Sequence, residues 1–348
     1  MRAGSEKRRM PAEWEEVHMI QLTWPNEDTD WSYMFEEVVE CYRSILSALL
    51  RETSVDVLIV TRSKEETLKS VSDVIGESNR VSFVETEIND TWARDHSPLT
   101  IKVDEERRLL LDFQFNGWGL KFAADKDNKI GREVYSQSLS AMGYLYESHY
   151  DMVLEGGAVE SDGNGTLMTS EHCMTSVNRN GFSREEVERR LMEYTGVKRV
   201  LWTEHGSLTG DDTDGHIDTL ARFAPEDTIV YLTPPSDEAD VDYEGLRLME
   251  KELASFRTQE GKPYKLVGLP YPQVKYDCET GERLPATYAN FLYVNDVILL
   301  PVYDVPQDLQ AISLMVEAFP AKKVLPIDCS ALIRQHGSLH CVTMQYVR

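Results

Sequence analysis

The amino-acid sequence predicts an α/β fold, and three observations carry that prediction. Segments with apolar residues at helical spacing interleave with short apolar runs of strand length from one end of the chain to the other. The helices recur at broadly similar intervals, as an α/β architecture with an internal repeat would require, although no repeat is visible in the residues themselves. No linker or low-complexity stretch divides the 348 residues. Residues 10–348 therefore read as one domain, with residues 1–9 a flexible, basic tail.

Taken in order, Met34, Val38, Tyr42, Ile45 and Leu49 mark an amphipathic helix over 30–51, followed by a buried strand over 55–60. A helix over 63–75 and strands over 81–84 and 109–115 come next. A helix over 132–142 leads to strands over 152–160 and 167–169, which flank the hairpin signal Asp162-Gly163-Asn164-Gly165. Ser183 with Glu186 forms a capping-box pattern that opens a helix to Tyr194. Strands over 197–202, 217–223 and 228–232, a helix over 237–256, and strands near 265–267, 291–294 and 297–300 follow. A helix over 307–319 and strands over 324–327 and 341–346 complete the pattern.

Composition narrows the function. Hydrophobic residues make up 41% and charged residues 28% of the chain, an ordinary globular balance. No apolar run approaches the ~20 residues needed to cross a bilayer. The opening residues lack an apolar secretory core, so a cytoplasmic protein is expected. Five scattered cysteines without a CxxC pair fit a reducing compartment better than a disulfide framework. Lys+Arg 36 against Asp+Glu 60 leaves a net charge of −24, which disfavours nucleic acid and anionic membranes as partners. The charge permits a cationic substrate without selecting one, and a homo-oligomer is left open.

Four polar clusters stand beside the expected strand ends. In Asn89 to Pro98, Trp92 and Asp95 lie three apart and in a turn would face one cavity, an aromatic face and a carboxylate suited to a flat cation. A solvated surface turn is the competing reading. In Leu154-Glu155-Gly156-Gly157 the glycines indicate a bend or a close approach, or equally a β-bulge. In Thr209 to Asp218, His216 and Asp218 alternate at the start of an expected strand and so share a face. That acidic run also offers calcium ligands, but without EF-hand spacing. In His336 to Thr343, Cys341 opens an expected strand and would be an activated thiolate if it met His216. A zinc site of His336, His340 and Cys341 is the alternative there.

These clusters, in this order, resemble the agmatine deiminase family, grouped with the bacterial peptidylarginine deiminases in the guanidine-modifying pentein superfamily. Met10 to Glu15 with Trp24-Pro25, Asp112 to Gly119, Pro285 to Phe291 and Gly337 to Thr343 carry the likeness over nearly the whole chain. The resemblance implies a five-bladed, pseudo-symmetric α/β propeller of ββαβ units. It implies Cys341 as nucleophile, His216 as general acid/base and Glu155 as the carboxylate orienting that histidine. Asp95 and Asp218 match the pair that binds the guanidinium; Trp92 and Trp118 fall near the pocket, and Asn290 supports it. Two positions depart from the family pattern: Ser97 and His336 stand where glycine is common.

The implied reaction converts agmatine and water to N-carbamoylputrescine and ammonia, a step towards putrescine, with free or peptidyl arginine as the alternative substrate. Two carboxylates hold the planar cation, and a thiolate attacks its carbon to give a thiouronium-like intermediate. The histidine then moves the protons. No metal or organic cofactor is called for by that chemistry.

Overall fold

A computed structural model describes residues 8–348. Its strands, in chain order, are β1 (Val17–Thr23), β2 (Asp56–Thr61), β3 (Val81–Glu85), β4 (Leu99–Lys102), β5 (Arg108–Gln114), β6 (Leu145–Val153), β7 (Val159–Ser161), β8 (Thr166–Ser170) and β9 (Arg199–Thr203). They continue with β10 (Ala221–Ala224), β11 (Thr228–Leu232), β12 (Lys265–Leu269), β13 (Lys275–Tyr276), β14 (Arg283–Leu284), β15 (Leu292–Val294), β16 (Val297–Val302), β17 (Lys323–Asp328) and β18 (Thr343–Val347).

One pattern recurs in the sheets β4-β5-β6, β7-β8-β9, β10-β11-β12, β15-β16-β17 and β18-β1-β2-β3. The leading pair is antiparallel and the next pair parallel. Parallel neighbours need a crossover. The helices Phe35–Glu52, Ile130–Gln137, Arg184–Thr195, Tyr243–Ser255 and Asp308–Ala318 supply it. In the last sheet β18 pairs with β1, so the two ends of the described chain share a sheet. The fold is therefore mixed α/β, as the alternation of periodicities predicts.

Local chemistry explains most boundaries. Helix Phe35–Glu52 buries Val38, Tyr42, Ile45 and Leu49 along one stripe. Ser183 caps its helix by accepting from the Glu186 N–H at 3.4 Å. The Asp162 to Gly165 signal does form a hairpin turn between β7 and β8, with both glycines at positive φ.

Four expectations need correction. The expected strand over 152–160 breaks into β6, a 3-10 turn at Gly156–Ala158, and β7. A Cβ at Gly156 would lie 2.2 Å from the Arg94 carbonyl oxygen, so the chain bends there against a neighbouring backbone. The expected strand over 217–223 likewise begins with a 3-10 turn at Ile217–Thr219, and Cys341 lies just ahead of β18. Strands β1, β4, β13 and β14, and residues 145–151 of β6, are not anticipated by the apolar pattern. In β1 the reason is Gln21, a buried polar side chain that accepts from the Tyr346 hydroxyl at 2.6 Å.

The expected flexible tail falls mostly on residues 1–7, outside the described residues. Arg8 and Arg9 are tied down: Arg8 pairs with Glu147 at 2.8 Å, and Arg9 exchanges backbone hydrogen bonds of 2.9 Å with Lys102.

Arg222 on β10 is fully buried between the carboxylates of Glu13 and Glu160 and donates to the Phe291 carbonyl at 2.7 Å. Removing one partner of a buried ion pair strands the other charge. Arg222→Met is expected to lower unfolding stability by about 3–5 kcal/mol, read from urea denaturation. A change within error of zero would show that the network contributes nothing to the fold.

Candidate active site

Each of the recurring sheets is preceded by a turn that brings a polar residue to the same place. The short helix Ala93–His96 ahead of β4 carries Asp95, and Trp92 caps its start. Glu155 lies ahead of β7, His216 and Asp218 ahead of β10, Asn290 ahead of β15, and Cys341 ahead of β18. A Cβ at Gly157 would sit 2.7 Å from His216 Nδ1, 2.9 Å from Asp95 Oδ1 and 3.0 Å from Asp218 Oδ2. Groups from separate sheets thus converge on one point, and the glycine leaves it open. His216 and Asp218 meet through a tight turn, not through strand alternation.

The distances complete the constellation. Cys341 Sγ lies 4.0 Å from Asp218 Oδ2 and 3.4 Å from Asn290 Oδ1. His216 Nδ1 is 3.6 Å from Asp95, and its Nε2 is 3.9 Å from Glu155. Asp95 accepts from Trp118 Nε1 at 2.9 Å and from the Gly157 N–H at 3.0 Å. Glu155 is gripped by Arg179 at 2.9 Å. Both His216 ring nitrogens and Asp218 Oδ1 are buried without a hydrogen-bond partner among the described residues. Such orphaned polar atoms are costly unless something fills the space between them.

The pocket above Cys341 is walled by Trp92, Trp118 and Phe122, with Asp30, Asp90, Asp95, Asp212 and His336 among its lining residues. Trp92 and Asp95 do share this cavity. Gly337 is required beside Trp92, whose ring would meet an added Cβ at 2.1 Å. His336, one of the two departures, adopts a left-handed backbone (φ 66°) and meets the Gly210 carbonyl through Nδ1 at 2.7 Å. Ser97 is buried behind the site.

Burial, reinforced by the charges of Asp218 and Asp95, pushes the Cys341 thiol well above its ordinary value. Burial pulls His216 down, but Asp95, Cys173 and Glu155 outweigh it and hold its pKa well above the usual range. Burial also raises Asp95 against the pull of His216, with Asp218 adding to the rise. Asp218 and Glu155 are lowered despite burial, the former by His340 and His216, the latter by His216 and Arg179. At the mouth, burial and Asp30 bring Asp90 to about 7.

Among the described residues, two groups bring metal-ligating atoms within 4.8 Å of one another, Glu155-Cys173-His216 and Glu13-Glu160-His340. In each, a guanidinium already occupies the carboxylates: Arg179 on Glu155, Arg222 on Glu13 and Glu160. The zinc alternative of His336, His340 and Cys341 is not assembled. His340 directs Nδ1 to Asp218 and Nε2 to Glu13, each at 2.6 Å, while the other two face Gly210 and Asn290. The acidic run is likewise used internally: Asp211 accepts from the Thr213 and Gly215 N–H groups, and Asp214 pairs with Lys121 and Arg179.

A family model described as Porphyromonas-type peptidyl-arginine deiminase matches residues 9–346. The chain belongs to this family. A solved structure from Porphyromonas gingivalis, named "putative arginine deiminase", is 44% identical with a TM-score of 0.89, covering 98% of this chain and 99% of that one. A cysteine-to-serine variant of the C. jejuni agmatine deiminase with substrate bound is 31% identical with a TM-score of 0.90, covering 100% and 98%. A Mycoplasma capricolum protein named "putative agmatine deiminase" is 30% identical, covering 97% of this chain and 94% of the relative.

Within this deiminase framework, the residues that motif reading leaves without a role are Glu13, Arg179 and Arg222. The sequence assigns them no role, even to Glu13 within the Met10 to Glu15 motif, because a partner can lie far away: 209 positions separate Glu13 from Arg222. His340, read from the sequence only as a zinc ligand, belongs with them.

The electrostatics of Cys341 generate a measurable expectation. With its pKa raised by burial and two carboxylates, alkylation by neutral iodoacetamide is expected to be slow at about pH 7 and to climb past about pH 9 without levelling off, followed by mass spectrometry of the Cys341 peptide. A plateau by about pH 8 would contradict the assignment.

Proposed function

We propose that this chain is an agmatine deiminase, built as the five-bladed pentein propeller that its recurring ββαβ sheets suggest, and acting in the cytoplasm. The observation that carries the substrate choice is the charge of the pocket. Asp30, Asp90, Asp95 and Asp212 line it, and no lysine or arginine is among its described lining residues. Agmatine carries a guanidinium at one end and an ammonium at the other, so both ends meet carboxylates. The α-carboxylate of arginine would meet Asp30, Asp90 and Asp212, with the His336 imidazole as the basic side chain among the described lining residues, an arrangement that disfavours it.

The reaction follows from the site. Asp95 and Asp218 hold the guanidinium N–H groups and fix its plane. The arriving cation offsets the two charges that raise the Cys341 thiol, so the thiol gives up its proton to solvent and the thiolate forms when substrate is bound. It attacks the guanidinium carbon, forming the S–C bond of a tetrahedral adduct. His216, kept protonated by Asp95 and Glu155, donates its proton to the departing nitrogen, and ammonia leaves a thiouronium-like intermediate. The neutral imidazole then takes a proton from water, which attacks the same carbon, and the S–C bond breaks to release N-carbamoylputrescine. Trp92 and Trp118 wall the cavity, Arg179 keeps Glu155 ionised, and Asn290 steadies Cys341. Every step uses side chains from residues 10–348, acting as one catalytic domain.

The P. gingivalis relative favours a second reading, a deiminase of free or peptidyl arginine. A panel of agmatine, arginine and a blocked arginine peptide, assayed for ammonia and ureido product, separates the two. Agmatine is expected to lead in kcat/KM, and Cys341→Ser to lower its turnover by at least about a thousandfold. Faster citrulline formation from arginine would transfer the assignment to the second reading.

A further inference from the structure

Among the described residues, the Asp218 side chain makes one short hydrogen bond and one long contact to sulfur. Its Oδ2 accepts from His340 Nδ1 at 2.6 Å, and the Cys341 sulfur lies farther off at 4.0 Å. Its Oδ1 has no partner among the described residues. A buried carboxylate with a single anchor can swing about its side-chain torsions unless that anchor is itself fixed.

His340 is fixed at its ring and at its backbone. Its Nε2 donates to Glu13 Oε1 at 2.6 Å, and the Arg222 guanidinium that also holds Glu13 lies alongside. Its backbone N–H donates to Asn290 Oδ1 at 2.9 Å. Glu13 is clamped in turn by Arg222 and, at 2.9 Å, by Arg94. Of these residues Arg94, Asp218, Arg222, Asn290 and His340 are buried. The deiminase mechanism uses neither Glu13 nor His340, yet the structure gives them ion pairs that cost desolvation to form.

We infer that His340, braced by Glu13, is a positioning residue that fixes Asp218 so that its free oxygen is presented to the substrate guanidinium. The inference rests on the proposed deiminase reading and adds a role at the same site. The ring is suited to the task because its two nitrogens point apart, letting one side chain bridge two carboxylates. The same backbone step that places His340 also places Cys341, since both N–H groups converge on Asn290 Oδ1, at 2.9 and 3.4 Å. Carboxylate and sulfur are therefore set in register by one short segment.

The test measures agmatine binding calorimetrically in a Cys341→Ser background, where no turnover interferes. His340→Leu removes both contacts, whereas His340→Asn keeps an amide N–H near the Nδ1 position and loses only the link to Glu13. The expected result is a Kd raised about tenfold or more by His340→Leu and by no more than about threefold by His340→Asn, with similar melting temperatures for the two. Equal weakening by both variants in proportion to lost thermal stability would reduce His340 to a structural role and overturn the inference. So would an unchanged Kd in His340→Leu. Should His340→Leu fail to fold, Glu13→Gln decides: a Kd raised about threefold or more supports the relay, and an unchanged one refutes it. If the Cys341→Ser protein itself binds no agmatine, the substrate reading fails and takes this inference with it.

Discussion

The structure depends on burying charge without leaving it unpaired. Asp95, Glu155, Glu160 and Asp218 are all buried, and the half-buried Glu13 pairs with Arg94 and Arg222 beside them. Carboxylates so placed would protonate or unfold the site unless cations were interleaved among them. Arg94, Arg179 and Arg222 supply those cations through contacts that cross long stretches of chain. Asp95 and Asp218 meet no arginine among the described residues: Asp95 is met by Trp118, Gly157 and His216, and Asp218 by His340, with its Oδ1 unpartnered. Carboxylates, an imidazole and a thiol therefore face one another at a single point.

The recurring sheet pattern is how the chain meets that constraint. Each leading strand begins a few residues after a side chain that reaches the central cavity, from Asp95 and Glu155 through Asp218 and Asn290 to Cys341. A turn at a strand entrance is a place where backbone bends and polar side chains are tolerated. Repeating it builds a site from distant segments without requiring a long loop. The close approaches at Gly156, Gly157 and Gly337 are the local cost of packing these turns together, since a methyl group at any of them would strike a neighbour. The same crowding sets the chemistry: it desolvates the thiol, raises His216 through its acidic neighbours and leaves the imidazole nitrogens waiting for a partner.

Much of this was legible residue by residue. Apolar periodicity located the helices and most strands, because burial of one face is written directly into spacing. The Asp162 to Gly165 turn and the Ser183 cap were readable because their hydrogen bonds are local. The breaks at Gly156 and Ile217 were not, since both arise from contacts with other segments, and β1 was hidden by a glutamine whose partner is Tyr346. The candidate site residues could be named from motifs, but the reason that His216 faces Asp218 could not, and strand alternation was the wrong one.

What the sequence by itself determined is the inventory: an α/β alternation, an acidic chain, and cysteine, histidine and carboxylate residues in an order that resembles one deiminase family. Those are properties of composition, period and motif, which survive without a third dimension. Only the tertiary structure decided which charges are paired and which are left open. Pairing across 209 positions, as between Glu13 and Arg222, has no signature along the chain. It also decided that His340 meets Asp218 and Glu13 and does not join His336 and Cys341 in one ligand set, because a ring nitrogen's role is set by what lies 2.6 Å away and not by its neighbours in sequence.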